Sequence, residues 1–234
     1  KCIYKYKYKY KYKYKYISME KVYFQIGTND GNDTFKIKCL NDKPTQIILV
    51  EPNPLHKKSI TDNYKDFSNV HIFINAIYYN DNEDVELVVP AINGIFGNIG
   101  ENGIKYNHSH LSLIPMNNWG SKDNMFKISA KSITFDTICK NLNINNIDYL
   151  QIDTEGFDSE IIKMIDFNKI NIQQIRFEKW QFDSSYFTKY FGNDTEFGNK
   201  GMLIVKEKLK KNNYMIESIK DAAGNDYIAT KIVN

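Results

Sequence analysis

Short apolar runs alternate with helix-like segments between residues 22 and 177, and this alternation constrains the fold most strongly. Several runs are continuously apolar and β-branched, which is typical of parallel strands buried on both faces. Between the runs, apolar residues recur at helical spacing, as Phe157, Ile161, Met164 and Ile165 do. The pattern predicts an α/β fold with a βαβ sheet. The predicted strands are 22–26, 46–50, 70–75, 85–89, 147–152, 172–177, 214–219 and 226–233.

The last two predicted strands are joined through the sequence DAAGN, so we expect them to form an antiparallel hairpin. Besides the helix at 157–166, helices are predicted at 134–142 and 202–211. Thr134 is a candidate N-cap for the first of these, and the second ends in a Lys-rich turn that suits a helix C-terminus.

Residues 1–18 form a low-complexity extension in which Lys and Tyr alternate, whereas residues 19–234 have the composition of one domain. The extension holds seven Lys and no acid, so subtracting it from the net charge of +3 leaves −4 for the rest. A mildly acidic body argues against a nucleic-acid partner. We expect the extension to be disordered and dispensable.

Residues 91–131 interrupt the alternation of strands and helices with a segment rich in Gly, Asn and Ser. A loop of this length inside a compact domain is usually functional or disordered, so we predict an insertion or a lid. The segment contains His108 and His110, which are candidates to contact a substrate or to act as bases; the alternative is an exposed polar loop.

The number and spacing of the cysteines and the length of the apolar runs indicate where in the cell the protein is expected. Cys2, Cys39 and Cys139 are odd in number, far apart and not part of a C-x-x-C motif, which favours a reduced, cytoplasmic protein. No apolar run approaches the ~20 residues that a membrane-spanning helix needs. Nothing in the sequence indicates an oligomeric state.

The first two predicted strands end in features of a nucleotide site. The first runs into a turn with Gly27 and Gly31 at its ends, which lets backbone approach a ligand. The second ends at Glu51, 20 positions after Gly31, where a carboxylate can accept from the hydroxyls of an adenosine ribose. Each feature also fits a purely structural role, and together they also fit a dinucleotide oxidoreductase.

The sequence YLQIDTEGFD, residues 149–158, delivers two carboxylates and a glycine where an apolar strand ends and a helix begins. That edge of an open α/β sheet is where ligands bind. Asp153 and Glu155 would repel each other unless they share a cation, a proton or a substrate hydroxyl. A favourable interaction with the helix dipole explains Asp158 but not Asp153, which precedes the turn.

In order and spacing, QIGTNDG, VEPNP, NAI and YLQIDTEGFDSEIIKMI resemble the FkbM-type S-adenosylmethionine-dependent methyltransferases over about residues 20–180. The resemblance implies a Rossmann-like class I methyltransferase domain over 19–234. Its sheet would have seven mostly parallel strands and a C-terminal antiparallel hairpin. It also implies O-methylation of a hydroxyl on a sugar, glycan or small metabolite.

The resemblance implies that residues at the tips of the first three strands hold S-adenosylmethionine. They are Gln25 at its ammonium group, Gly27, Asn29 and Gly31 along the methionine part, Glu51 at the ribose, and Asn75 and Ala76 beside the adenine.

The resemblance also implies that Asp153 and Glu155 face the reacting centre, with Asp153 as the base or the residue that orients the hydroxyl. Glu178 is a candidate to bind sugar hydroxyls, and Trp180 to stack on a sugar face or simply to pack. No set of metal ligands is complete by spacing, so no metal is predicted.

Two positions depart from the family pattern: Gln25 stands where an acid is usual, and Gln151 where a Lys is usual. These departures leave two alternatives to the enzyme open. One is a degenerate methyltransferase fold that serves as a binding subunit, and the other is an NAD-type oxidoreductase.

Overall fold

The structure is a computed structural model that describes residues 20–89, 98–99, 104–105, 126–179, 198–221 and 224–232. The strands are β1 (Val22–Ile26), β2 (Gln46–Val50), β3 (Val70–Phe73), β4 (Ala76–Ile77), β5 (Asp84–Val89), β6 (Asn98–Ile99), β7 (Ile104–Lys105), β8 (Phe126–Ile133), β9 (Asn146–Ile147), β10 (Tyr149–Ile152), β11 (Asn171–Ile172), β12 (Gln174–Glu178), β13 (Tyr214–Asp221) and β14 (Gly224–Lys231). The α-helices are α1 (Thr34–Asp42), α2 (Lys57–Tyr64), α3 (Phe135–Asn141), α4 (Asp158–Met164) and α5 (Gly198–Lys211), and a 3₁₀ turn spans Pro54–His56.

A seven-stranded sheet with the order β13-β14-β12-β10-β1-β2-β3 forms the centre of the fold. The five strands from β12 to β3 are parallel, and β14 is antiparallel to both of its neighbours. The α/β class, the mostly parallel seven-stranded sheet and the C-terminal hairpin are thereby confirmed.

The helices cover both faces of this sheet, which explains why its strands are continuously apolar. On one face, Phe24 and Leu150 belong to the main core, to which α3, α4 and α5 contribute. On the other face, Tyr23 and Ile47 pack with Phe35 of α1 and with residues of α2. The central strand β1 is buried along its whole length.

Side-chain caps fix where two of the helices begin. Thr134 precedes α3 and its side chain accepts a hydrogen bond from the backbone N–H of Thr137 at 3.1 Å, as predicted for an N-cap. Asp33 plays the same part for α1, where it accepts from the N–H of Lys36 at 3.1 Å.

Residues 85–89 form a strand as predicted, but they do not join the central sheet. Strand β5 pairs antiparallel with β8, which in turn pairs with β4 in a separate three-stranded sheet. Val85 and Leu87 are buried whereas Asp84 and Glu86 are exposed, so only one face of β5 is covered. That alternation is typical of a half-exposed antiparallel strand.

Strand β8 also shortens the segment predicted as an insertion or lid at 91–131, because residues 126–131 are strand. The remainder of that segment, apart from β6 and β7, lies outside the described residues, as does the extension at 1–18. Among the helices that the structure describes, none is long and apolar enough to cross a membrane.

The turn after β1 approaches the end of β10 closely. Gly27 has a φ of 81°, and a Cβ placed on it would lie 1.7 Å from the carbonyl oxygen of Asp153. The backbone N–H of Asp153 donates to the carbonyl of Ile26 at 2.9 Å, which holds the two chain segments together. Only glycine fits at position 27.

We predict that Gly27→Ala lowers the free energy of unfolding by at least about 3 kcal/mol, because the methyl group displaces backbone in the sheet centre. Gly31→Ala is the matched control: its φ is 77°, but its Cβ would meet a side-chain atom of Tyr64 at 3.1 Å. It should cost only the backbone penalty of about 1–2 kcal/mol. Equal losses for the two variants in chemical denaturation would contradict this interpretation.

Candidate active site

A cavity of about 670 Å³, counted to its open mouth, lies at the carboxyl ends of β1, β2 and β10. We call it the first cavity. Seven of the nine residues predicted to bind the cofactor or to act in catalysis line it. They are Gly27, Asn29, Glu51, Asn75, Ala76, Asp153 and Glu155.

The glycine turn brings backbone to the wall of the first cavity. The N–H groups of Gly27 and Thr28 donate to the carbonyl of Val50 at 2.9 and 3.2 Å, which ties the turn to β2. Asn29 follows with a φ of 54°, a left-handed conformation that Asn tolerates better than most residues. Gly31 lies outside the cavity lining and packs against Tyr64 and Ile60 of α2.

Glu51 stands at the end of β2 with its carboxylate buried in the cavity wall. One carboxylate oxygen accepts from the N–H of Asn29 and the other from the N–H of Asn53, both at 2.8 Å. Each carboxylate oxygen has two lone pairs, so acceptor capacity remains for ligand hydroxyls. Burial raises the pKa of Glu51 to about 7, against the lowering effect of the two backbone hydrogen bonds.

The lining of the first cavity also includes apolar side chains. Asn75 and Ala76 lie there with Ile77 and Leu87, and Phe157 is also part of the lining. The side chain of Asn75 donates to the carbonyl of Lys131 at 3.1 Å, which links this wall to β8. An apolar lining with a few polar groups is typical of a small-molecule or cofactor site.

Gln25 does not reach the first cavity, although the resemblance places it at the cofactor. It is fully buried beneath the turn, and its amide nitrogen donates to the carboxylate of Asp33. Its amide oxygen is buried without a hydrogen-bond partner in the described part of the chain. Gln25 therefore contacts the start of α1 and not the wall of the first cavity.

Asp158 is more than an acid that offsets the dipole of α4. It is completely buried, and one carboxylate oxygen accepts from the backbone N–H and the hydroxyl of Thr154. The other oxygen accepts from the N–H of Glu178 at 3.1 Å, so Asp158 joins the tips of β10 and β12. Burial raises the pKa of Asp158 to about 6, although these hydrogen bonds oppose the shift.

Asp153 lies at the tip of β10 and faces several other acids. Burial raises the pKa of its carboxyl well above the usual range, and the charges of Asp158, Glu155, Asp226 and Asp33 raise it further, in that order. A carboxyl whose pKa is raised binds a proton more readily than an ordinary Asp does, which suits general-base chemistry. Glu155 beside it adopts a φ of 53°, a strained conformation of the kind found at active sites.

A second cavity, of about 660 Å³ counted to its mouth, adjoins Asp153 on the side where α1 begins. Glu178, predicted to bind substrate, lines this second cavity and not the first. Among the residues of the described chain, Asp153 alone lines both cavities. His108, His110 and Trp180, also predicted to bind substrate, lie outside the described residues. Within the described ranges, no group of three or more His, Cys, Asp or Glu residues is arranged to hold a metal ion.

The methyltransferase FkbM domain matches residues 25–204, which is most of the chain. The chain belongs to this family. Membership implies the use of S-adenosylmethionine as methyl donor and favours methyl transfer over the oxidoreductase alternative. No match was found among curated protein sequences.

Solved structures similar to this FkbM-domain chain are methyltransferases and an RNA-processing protein. The Methanococcus jannaschii fibrillarin pre-rRNA processing protein is 10% identical with a TM-score of 0.43, over 91% of this chain and 66% of that one. Precorrin-6y C5,15-methyltransferase from Geobacter metallireducens is 14% identical with a TM-score of 0.42, and the match covers 90% of this chain and 79% of that one. M. capricolum TrmK in complex with S-adenosylhomocysteine is 12% identical with a TM-score of 0.39, and the match covers 89% of this chain and 60% of that one. The chain therefore spans less than two thirds of the first and third of these proteins.

The raised pKa of Glu51 predicts how binding of S-adenosylhomocysteine depends on pH. Ribose hydroxyls donate better to the ionised carboxylate, so binding lowers this pKa and affinity should rise between pH 6 and 8, by up to about tenfold. The folding stability of the ligand-free protein should change with pH in the opposite direction. The contribution of Glu51 to the free energy of unfolding is fully present below its ordinary pKa of 4.5 and is lost as the pH rises through about 7.

Isothermal titration calorimetry of wild type and Glu51→Gln tests this pH dependence. The variant should bind more weakly at pH 8 and lose the dependence, whereas Glu86→Gln, which changes an exposed Glu of β5, should behave as wild type. An unchanged pH dependence in Glu51→Gln would refute the assignment of Glu51 to the ribose.

Proposed function

We propose that this chain is an S-adenosylmethionine-dependent O-methyltransferase that acts on a hydroxyl of a sugar, glycan or small metabolite, with Asp153 as the base or hydroxyl-orienting residue. The observation that carries the proposal is the position of Asp153 between two cavities, both of which it lines. A methyltransferase needs such a group between its donor site and its acceptor site.

The residues of the first cavity fit S-adenosylmethionine. The backbone of Gly27 and Asn29 would lie along its methionine part, the free lone pairs of Glu51 would accept from its ribose hydroxyls, and Asn75 and Ala76 would flank its adenine. Glu51, Asp153 and Glu155 put three carboxylates in the wall of this cavity. A positive sulfonium in this cavity would favour the ionised form of these groups, so the cofactor and the carboxylates complement each other.

The bound cofactor supplies an electrophilic methyl group for an in-line displacement. The protein then has to hold the acceptor oxygen in line and remove its proton. Asp153 is placed to accept that proton as the new carbon–oxygen bond forms, and its raised pKa favours holding it. Asp158 positions the Asp153 loop through Thr154, and Glu155 adds negative charge beside the reacting centre.

The degenerate binding subunit remains the alternative to an active enzyme, and its support was the pair of departures at Gln25 and Gln151. Neither residue belongs to the wall of the first cavity. Glu51, Asp153 and Glu155, which carry the proposed chemistry, are all present and all line it. This arrangement favours an active enzyme.

We predict that Asp153→Asn keeps S-adenosylhomocysteine binding and lowers turnover by at least about 100-fold. Its melting temperature should stay level or rise, because burial and four nearby acids disfavour a charged carboxylate at this position and Asn carries no charge. Asp62→Asn, at an exposed position on α2, is the matched control and should retain full turnover.

Turnover is measured by mass spectrometry of sugars and glycans incubated with S-adenosylmethionine, as product with one added methylene mass. A wild-type rate in Asp153→Asn would rule out Asp153 as the base. If the wild-type protein binds S-adenosylhomocysteine but methylates nothing in the panel, the binding-subunit alternative replaces the enzyme.

A further inference from the structure

A row of polar residues crosses the central sheet beside the second cavity. Gln25 of β1 is in register with Gln151 of β10, and Gln151 is in register with Arg176 of β12, so the three side chains share one face. Gln151 and Arg176 are both buried in the cavity wall, whereas Gln25 is buried outside its lining. Stability alone favours apolar residues at such positions.

Arg176 is the only arginine in a chain with 30 lysines, and it lies in this wall. Its Nε donates to Asp226 of β14 at 2.6 Å, and each of the two residues is 8% exposed. A buried ion pair contributes little net stability, because removing both charges from water offsets their attraction. The fixed fork of a guanidinium does, however, orient acids and hydroxyl groups with high geometric precision.

Gln151 points to a ligand more directly, because it is 6% exposed and only half satisfied. Its amide oxygen accepts from the hydroxyl of Tyr149 at 3.3 Å. Its amide nitrogen has no hydrogen-bond partner anywhere in the described ranges, although it lines the cavity. Because Gln151 lines the cavity, this amide nitrogen is available to donate to an acceptor on a ligand there.

The charge in the cavity wall restricts what the ligand can be. The wall holds four carboxyl groups, those of Asp33, Asp153, Glu178 and Asp226, and one guanidinium, that of Arg176, which is already paired with Asp226. A phosphate or carboxylate group would find no cation in this lining that is not already paired, whereas hydroxyl groups can both donate to the carboxyl groups and accept from Gln151. An ammonium group would be attracted.

We infer that the second cavity is the acceptor site and that it selects polyhydroxyl compounds without negative charge, so that neutral and amino sugars enter and phosphorylated or nucleotide-linked sugars do not. This inference rests on the proposed methyltransferase function. It assigns Gln151, Glu178 and the Arg176–Asp226 pair to acceptor recognition, beside Asp153, which links this cavity to the first.

A matched series of sugars tests the charge preference. Glucose, galactose and mannose are each presented as the free sugar, the 2-amino sugar and the 6-phosphate to the full chain saturated with S-adenosylhomocysteine. Saturation-transfer NMR should detect binding of the free and amino forms of at least one of these sugars. Its 6-phosphate should bind at least about tenfold more weakly.

Variants locate the binding in the second cavity. Gln151→Leu should abolish the saturation transfer, whereas Gln174→Leu, the same change on β12 outside the cavity lining, should not. Glu178→Gln, a conservative change that removes one negative charge, should narrow the difference between the free sugar and its 6-phosphate. Glu178→Gln therefore tests whether the sugar binds in the second cavity even if Gln151→Leu does not fold.

Three outcomes would overturn the inference: no sugar binds, the 6-phosphate binds as well as the free sugar, or Glu178→Gln leaves the preference unchanged. Calorimetry with S-adenosylhomocysteine is run on the same samples. If S-adenosylhomocysteine binds but one of these three outcomes is observed, only the assignment of the second cavity as the acceptor site fails. If it does not bind, the proposed function itself fails.

Discussion

The close approach of the β1 turn to the end of β10 is the contact on which the rest of the structure depends. A side chain at Gly27 would overlap the carbonyl oxygen of Asp153, so the two strand tips can meet only through a glycine. The hydrogen bond between Asp153 and Ile26 fixes that meeting at the centre of the parallel sheet. As a result, the backbone of Gly27, which lines the first cavity, lies next to Asp153, which lines both cavities.

Acidic residues are concentrated at this edge although they repel one another there. Burial raises the pKa of Glu51, Asp153 and Asp158, which means that each would be more stable in water as an anion than it is in the fold. Hydrogen bonds from backbone N–H groups offset part of this cost for Glu51 and Asp158. Functional sites commonly carry such a cost in exchange for chemistry, and the surrounding apolar core compensates for it.

Sequence patterns were sufficient for the sheet and for most of the first cavity, because strand tips of a parallel sheet meet at one edge. They misplaced residues 85–89, since a short apolar run does not reveal whether one face or two will be buried. They also gave Asp158 too small a role, because its partners Thr154 and Glu178 meet only in the folded chain.

Gln25 and Gln151 looked like two separate departures from the family pattern, yet they are register neighbours on adjacent strands. Register depends on how strands pair, and spacing along the chain does not report it, so the polar row beside the second cavity was not predicted.

A crystal structure of the protein with S-adenosylhomocysteine would test the central claim most directly, because the claim concerns which cavity holds the donor and where Asp153 lies relative to it. We predict electron density in the first cavity, with the ribose hydroxyls at hydrogen-bond distance from Glu51 and the sulfur directed towards Asp153. Ligand density in the second cavity, or a ribose that does not contact Glu51, would contradict the assignment of donor and acceptor sites.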